Sequence, residues 1–150
     1  MELAASADFR LALYEALGTT QMGLRQYHPL LRDLFERELC YRLGDDEDDY
    51  AYSENICFCG LFLYEVASLA DSELLCRAKF CRDMDLGTGF DIQFLVGAGV
   101  EATLSYLAQH PDAWAVTALS YLQRCNEAGD LAWLDEWHRA KRAYFGLVNP

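Results

Sequence analysis

Apolar residues recur every three to four positions over most of the chain, and no stretch sustains the apolar–polar alternation of a half-buried strand. Ser6 is placed to cap a first helix over roughly 7–17, with Phe9, Leu13, Ala16 and Leu17 on one face and Gly18 ending it. The stretch TTQMGLRQYH is ambiguous, with a short second helix as one reading. Pro29 suits the first turn of a helix reaching about Leu43, striped by Leu31, Leu34, Phe35 and Leu39 and stopped by Gly44. Ser53, Asn55 and Ile56 open a helix over about 54–69. Its sequence, ICFCGLFLYEVASLA, is apolar on nearly every side, as in the buried centre of a bundle.

Asp71 is placed to cap a helix running to about Met84, and DLGTGFD follows as a glycine-punctuated loop. The stretch IQFLVGAGVEATLSYLAQ predicts a short helix to Val96, a break at Gly97–Gly99 and a helix from Val100 to Gln109. Whether 92–96 is helix or strand is open from periodicity alone. Pro111 starts the next helix, in which Trp114, Ala118, Tyr121, Leu122 and Cys125 form a stripe of 3.6-residue period. Gly129 closes it. Asp130 caps the last helix, which places Leu131, Leu134, Trp137, Lys141 and Phe145 on one face. The prediction is an all-α, single-domain bundle over 1–150, with six or seven helices, short connections and one nearly all-apolar central helix.

Composition supports a packed chain: 53% of its residues are hydrophobic and only three are proline, too rich in apolar residues for a disordered chain. The start, MELAASADFRLAL, carries acids where a secretory signal needs bases. The longest greasy run, Ile56 to Ala70, contains Glu65 and falls short of the ~20 residues that span a bilayer. The expectation is a soluble, cytoplasmic protein whose six cysteines are reduced and pack as small hydrophobes.

Charge changes the picture more. Residues 1–42 carry six acids and five bases, residues 43–76 nine acids and no base, and residues 77–150 nine acids and seven bases. The net charge of −12 therefore divides as −1, −9 and −2. A field so lopsided steers a basic partner and repels nucleic acid and anionic membranes. Its centre is Asp45, Asp46, Glu47, Asp48 and Asp49, followed by Tyr50, Tyr52 and Glu54. Tyrosines are frequent anchors of protein interfaces, so these eight residues form the candidate partner-binding site.

Four other patterns resemble chemical sites in outline. GAGVEA, Gly97 to Ala102, matches the dinucleotide-binding G-x-G-x-x-A in outline. No second βαβ unit follows it, and a close helix crossing explains the glycines. DMDLGTGFD, Asp83 to Asp91, offers acids at calcium-loop positions 1 and 3 but puts Thr88 at the turn glycine and Phe94 at the bidentate glutamate. Cys57 and Cys59 point about 200° apart on a helix and cannot share a zinc ion with Cys76 and Cys81 without unwinding it. Asp135 and His138 make one partial carboxylate–imidazole pair where a di-iron bundle needs two pairs and two further glutamates. His28 and His110 precede prolines at helix starts and read as capping residues. Glu65 reads either as a perturbed acid or as a buried partner of an arginine. No catalytic constellation and no cofactor or metal site follows from these patterns.

The stretch YSENICFCGLFLYEVASLAD…RAKFCRDMDLGTGFDIQFLVGAGVEATLSYL, Tyr52 to Leu107, resembles small helical proteins encoded beside polymorphic toxins in bacteria. The elements that carry the resemblance are Ala78-Lys79, the Asp85–Asp91 glycine loop, and FLVGAG followed by Thr103 and Tyr106-Leu107. The resemblance covers just over a third of the chain. It implies an immunity protein: a non-enzymatic inhibitor that binds and neutralises a cognate secreted toxin. Such a toxin would present a basic surface, as nucleases do. Charge alone would not hold it, because an exposed ion pair at ~4 Å is worth only about 1 kcal/mol. Two other readings stand beside this one. One is a small-ligand, nucleotide or metal-binding protein or enzyme with its site at the Gly87–Gly99 loops. The other is a helical adaptor in a larger assembly.

Overall fold

The computed structural model describes residues 6–20, 23–44 and 52–147. Among them the fold is all-α, with eight α-helices, three 3-10 helices and no strand. The chain divides into two compact units, Met1–Val66 with Arg139–Pro150, and Ala67–His138.

In the first unit, α1 (Ala7–Thr19) starts under Ser6, whose hydroxyl oxygen accepts the Phe9 N–H at 3.4 Å. The helix runs through Gly18 to Thr19, so Gly18 does not end it. Gly18 is instead a point of close approach, because the Leu147 Cδ2 methyl stands where a Cβ would be. The buried face of α1 is Arg10, Tyr14 and Leu17. Phe9, expected inside, is 39% exposed. The face is turned because Arg10 finds an acid in the interior, as described below.

A 3-10 turn, Leu24–Tyr27, leads into α2 (His28–Leu43) with Pro29 in its first turn. Leu31, Leu34, Phe35 and Leu39 are buried as expected, and Glu38 is buried with them. The central apolar helix is α3 (Asn55–Val66), in which only Cys57, Tyr64 and Glu65 are incompletely buried. It packs on α2 and α1. Each large apolar side chain it removes from water contributes about 1.5–3 kcal/mol. Asn55 Nδ2 donates to the Ala7 carbonyl at 3.0 Å, tying its start to that of α1. α3 ends at Val66, short of the expected 69, because Ala67 turns into the left-handed region at φ 59°. Phe145 stacks on Phe58 with centroids 4.4 Å apart, which fixes the residues after α8 to α3.

In the second unit, the helix expected from Asp71 to about Met84 is α4 (Ser72–Lys79) and stops at Lys79, while most of the stretch DLGTGFD, expected as a glycine loop, is helical in α5 (Met84–Gly89). The six-residue α5 adds one short helix to an all-α bundle otherwise of seven among the described residues, in line with the expected six or seven. Its cause is local. Asp83 Oδ1 accepts the Leu86 N–H at 3.0 Å and starts a new helix, as short polar side chains do at N-caps. Residues 92–96 are a 3-10 helix, Ile92–Val96. Gly99, at φ 101°, then turns the chain into α6 (Val100–Ala108). No atom lies within 4 Å of the position a Gly99 Cβ would take, so backbone conformation rather than helix crossing requires this glycine. α7 (Ala113–Ala128) packs on α6 and α4 and ends at Gly129, left-handed at φ 87°. His110, read as a cap for α7, closes α6 instead, since its Nδ1 donates to the Tyr106 carbonyl at 2.8 Å. α8 (Leu134–Tyr144) begins after a turn at 131–133, later than a cap at Asp130 would place it.

Candidate functional site

The acidic run Asp45, Asp46, Glu47, Asp48, Asp49 and the adjoining Tyr50 lie outside the described residues. What the structure describes is the edge from which that run departs and to which it returns. α2 delivers the chain at Gly44, and the return is held at Ser53, whose carbonyl accepts from Arg42 Nη1 at 3.0 Å.

Tyr52 and Glu54, the two predicted site residues that are described, sit beside this anchor. The Tyr52 hydroxyl donates to Asp8 Oδ1 at 3.3 Å, and the Tyr144 hydroxyl donates to Glu54 Oε2 at 2.5 Å. The Glu54 hydrogen bond pushes the Tyr144 phenol above its ordinary pKa. Tyr144 is 63% exposed, and its ring meets the Phe145 ring edge-on at 5.1 Å. Lys141 Nζ stands 5.8 Å from the Tyr144 ring centroid. The edge is thus a set of carboxylates, Asp8 and Glu54, interleaved with two tyrosines. Asp8 and Tyr144 were not legible as site residues, because they lie 44 and 90 residues from their partners.

The expected unneutralised acidic flank is shorter than the sequence window. Glu65 pairs with Arg142, Nη1 to Oε1 at 2.6 Å, with side chains 14% and 10% exposed. Glu65 is therefore the buried partner of an arginine. Asp71 is fully buried and offers no surface charge. Counting charge along a window misses a base that the fold brings in from 77 residues away.

A second ionic cluster lies deeper. Arg10 and Tyr14 both reach Glu38 inside the first unit. Burial alone would lower the Arg10 pKa, but the hydrogen bond and charge of Glu38 outweigh it and raise it. Burial, with the Cys59 thiol and Glu38 nearby, pushes the Tyr14 phenol far up. This cluster is 0–2% exposed, so nothing can reach it from solvent.

The Gly87–Gly99 segment is tied internally. Lys79 Nζ donates to the carbonyls of Gly87 and Phe90, both at 2.9 Å, and an added Gly87 Cβ would come within 3.2 Å of the Lys79 carbonyl. An ammonium thus ties two backbone carbonyls of this segment to α4. Burial lowers the Lys79 pKa, partly offset by Asp91. Asp91 Oδ2 in turn accepts Trp137 Nε1–H at 2.8 Å. The strand of a dinucleotide fingerprint is replaced by the 3-10 helix Ile92–Val96. No disulfide joins the six cysteines, and Cys59 Sγ contacts the Leu31 carbonyl at 3.4 Å. No helix among the described residues is long and apolar enough to cross a membrane. In comparison with known proteins, no family model matches the chain, and neither a curated protein nor a solved structure matches it.

Proposed function

We propose that the protein is a non-enzymatic binding module of the immunity type, which holds and neutralises a cognate toxin with a basic surface in the cytoplasm of the bacterium that makes both. The observation that supports this reading most directly is the convergence of Tyr52, Glu54, Asp8 and Tyr144 at the base of the acidic run. The five consecutive acids supply long-range attraction, which raises association rates and selects partners by charge. The tyrosines supply the amphipathic contact area that exposed ion pairs cannot replace. Two of the carboxylates already accept a tyrosine hydroxyl, so each tyrosine ring is oriented before a partner arrives, which lowers the ordering cost of binding.

The test is capture of the product of the adjacent upstream gene, followed by binding measured across a salt series. A nanomolar complex whose association slows with salt is the expected result. Failure to bind that product, with no protection of cells expressing it, would remove the immunity reading. An adaptor within a larger assembly would instead appear as a stable higher-mass complex that does not inhibit a toxin.

A further inference from the structure

The second unit carries a cavity of about 390 Å³ between the end of α4 and the first half of α7, lined by Cys76, Arg77, Phe80, Ala113, Trp114 and Thr117. That volume falls in the range of small-molecule sites, ~300–1,000 Å³. It lies apart from the Gly87–Gly99 loops, which contribute no residue to its lining.

Both ring walls are braced by neighbours. The His110 ring lies 6.0 Å from Trp114 and 4.3 Å from Tyr106, and its hydrogen bond to the Tyr106 carbonyl holds it there. Phe80 meets Tyr121 edge-on at 5.4 Å. Arg124 and Lys79 stand 5.6 and 6.0 Å from the Tyr121 ring centroid. Walls fixed in this way lose little freedom when a ligand enters.

The chemistry of the lining narrows the ligand. Trp114 and Phe80 both line the cavity, and aromatic side chains favour a flat aromatic partner in offset or edge-to-face contact. The only formal charge among the six lining residues is that of Arg77, and a guanidinium matches a carboxylate in two parallel hydrogen bonds. The Cys76 thiol is pushed up to about 12 by burial and then by nearby Glu73, so it adds no negative charge. Glu73 itself, one turn earlier on α4, stands outside the lining. Thr117 adds a hydroxyl. We propose that this cavity binds a small aromatic carboxylate, its ring seated between Trp114 and Phe80 and its carboxylate on Arg77. The inference is independent of the tyrosine and carboxylate edge of the first unit.

The experiment compares 2-naphthoate with the neutral 2-naphthylmethanol, by saturation-transfer NMR and tryptophan fluorescence on the full chain. Saturable binding of 2-naphthoate, at least fivefold tighter than the neutral probe, is expected. Arg77→Gln should bring 2-naphthoate to the affinity of the neutral probe and leave the latter unchanged. Trp114→Ala should abolish both. Thr117→Phe, which fills the cavity from an exposed position and keeps every other wall, should abolish both with the thermal unfolding midpoint retained. Absence of saturable binding by the unaltered protein, equal affinity for the two probes, or binding that survives Thr117→Phe would each overturn the proposal.

Discussion

Arg10 and Glu38 meet inside the first unit although 28 residues separate them, with Arg10 Nε 2.5 Å from Glu38 Oε1 and Nη2 3.1 Å from Oε2. Both side chains are at most 2% exposed. Tyr14 donates its hydroxyl to the same Oε1 at 2.8 Å, so one carboxylate joins α1 to α2 through three hydrogen bonds. Such a pair gives little net stability over an apolar pair of equal volume, but losing one member strands the other charge. Glu38→Gln should therefore destabilise the protein by about 3–5 kcal/mol in urea unfolding. The double replacement Arg10→Met with Glu38→Leu should recover most of that loss. Equal instability of the single and double variants would show that the pair does not act as a unit.

Gly18 and Leu147 form a second tight junction. Alanine normally stabilises a helix interior by about 1 kcal/mol relative to glycine. Here the new methyl meets the Leu147 side chain, which is 7% exposed and has little room to move. Gly18→Ala should cost roughly 1–2 kcal/mol, the usual scale of overpacking. In a Leu147→Ala background the same change should be neutral or stabilising, and a double-mutant cycle measures the reversal.

Ala67 holds a left-handed conformation that costs an L-residue about 1–2 kcal/mol. Ala67→Gly should raise stability by about 0.5–1 kcal/mol after the greater flexibility of unfolded glycine is subtracted. Ala67→Val should lower it, because a β-branched residue tolerates this backbone least.

Alkaline pH should weaken the fold. The Cys76 thiol titrates near 9 when exposed and is pushed up to about 12 by burial and by Glu73. Between these values the unfolded chain has lost a proton that the folded chain keeps, so stability falls as pH rises. The effect is absent below about pH 8 and reaches at most ~4 kcal/mol near pH 12. Tyr14 acts in the same direction above pH 10, its ordinary value. Urea midpoints measured from pH 7 to 11 should decline from about pH 8.5, and Cys76→Ala should flatten the first part of that decline.

On the interaction edge, charge and contact should separate kinetically. Under the proposed immunity function, reversing Asp45, Asp46, Glu47, Asp48 and Asp49 to lysine should slow association with the proposed toxin partner at least tenfold and remove its salt dependence. Tyr144→Ala should leave association nearly unchanged and speed dissociation by roughly tenfold or more, as loss of an aromatic anchor does. Surface plasmon resonance reads both. An unchanged association rate after charge reversal would defeat the role given to the acidic run.

The all-α fold was legible because period is a local property. Leu31, Leu34, Phe35 and Leu39 announce the inner face of α2, and the greasy run after Ile56 announces a buried α3. Proline and glycine punctuation placed α2 and the end of α7 correctly, since each acts on its own backbone. Elsewhere local signals competed. Asp83 could continue a helix or cap a new one, and the hydrogen bond to Leu86 selected the cap.

The chain's own order of residues determined helix type, most helix limits and the excess of acids. Tertiary structure alone decided which charges remain charges on the surface. It put Arg142 on Glu65, Arg10 on Glu38 and Tyr144 on Glu54, and it buried Asp71. The reason is range. Helical hydrogen bonds and side-chain period act over four residues, whereas Coulomb and packing forces act between whatever groups the fold brings within a few ångströms, however far apart they lie along the chain.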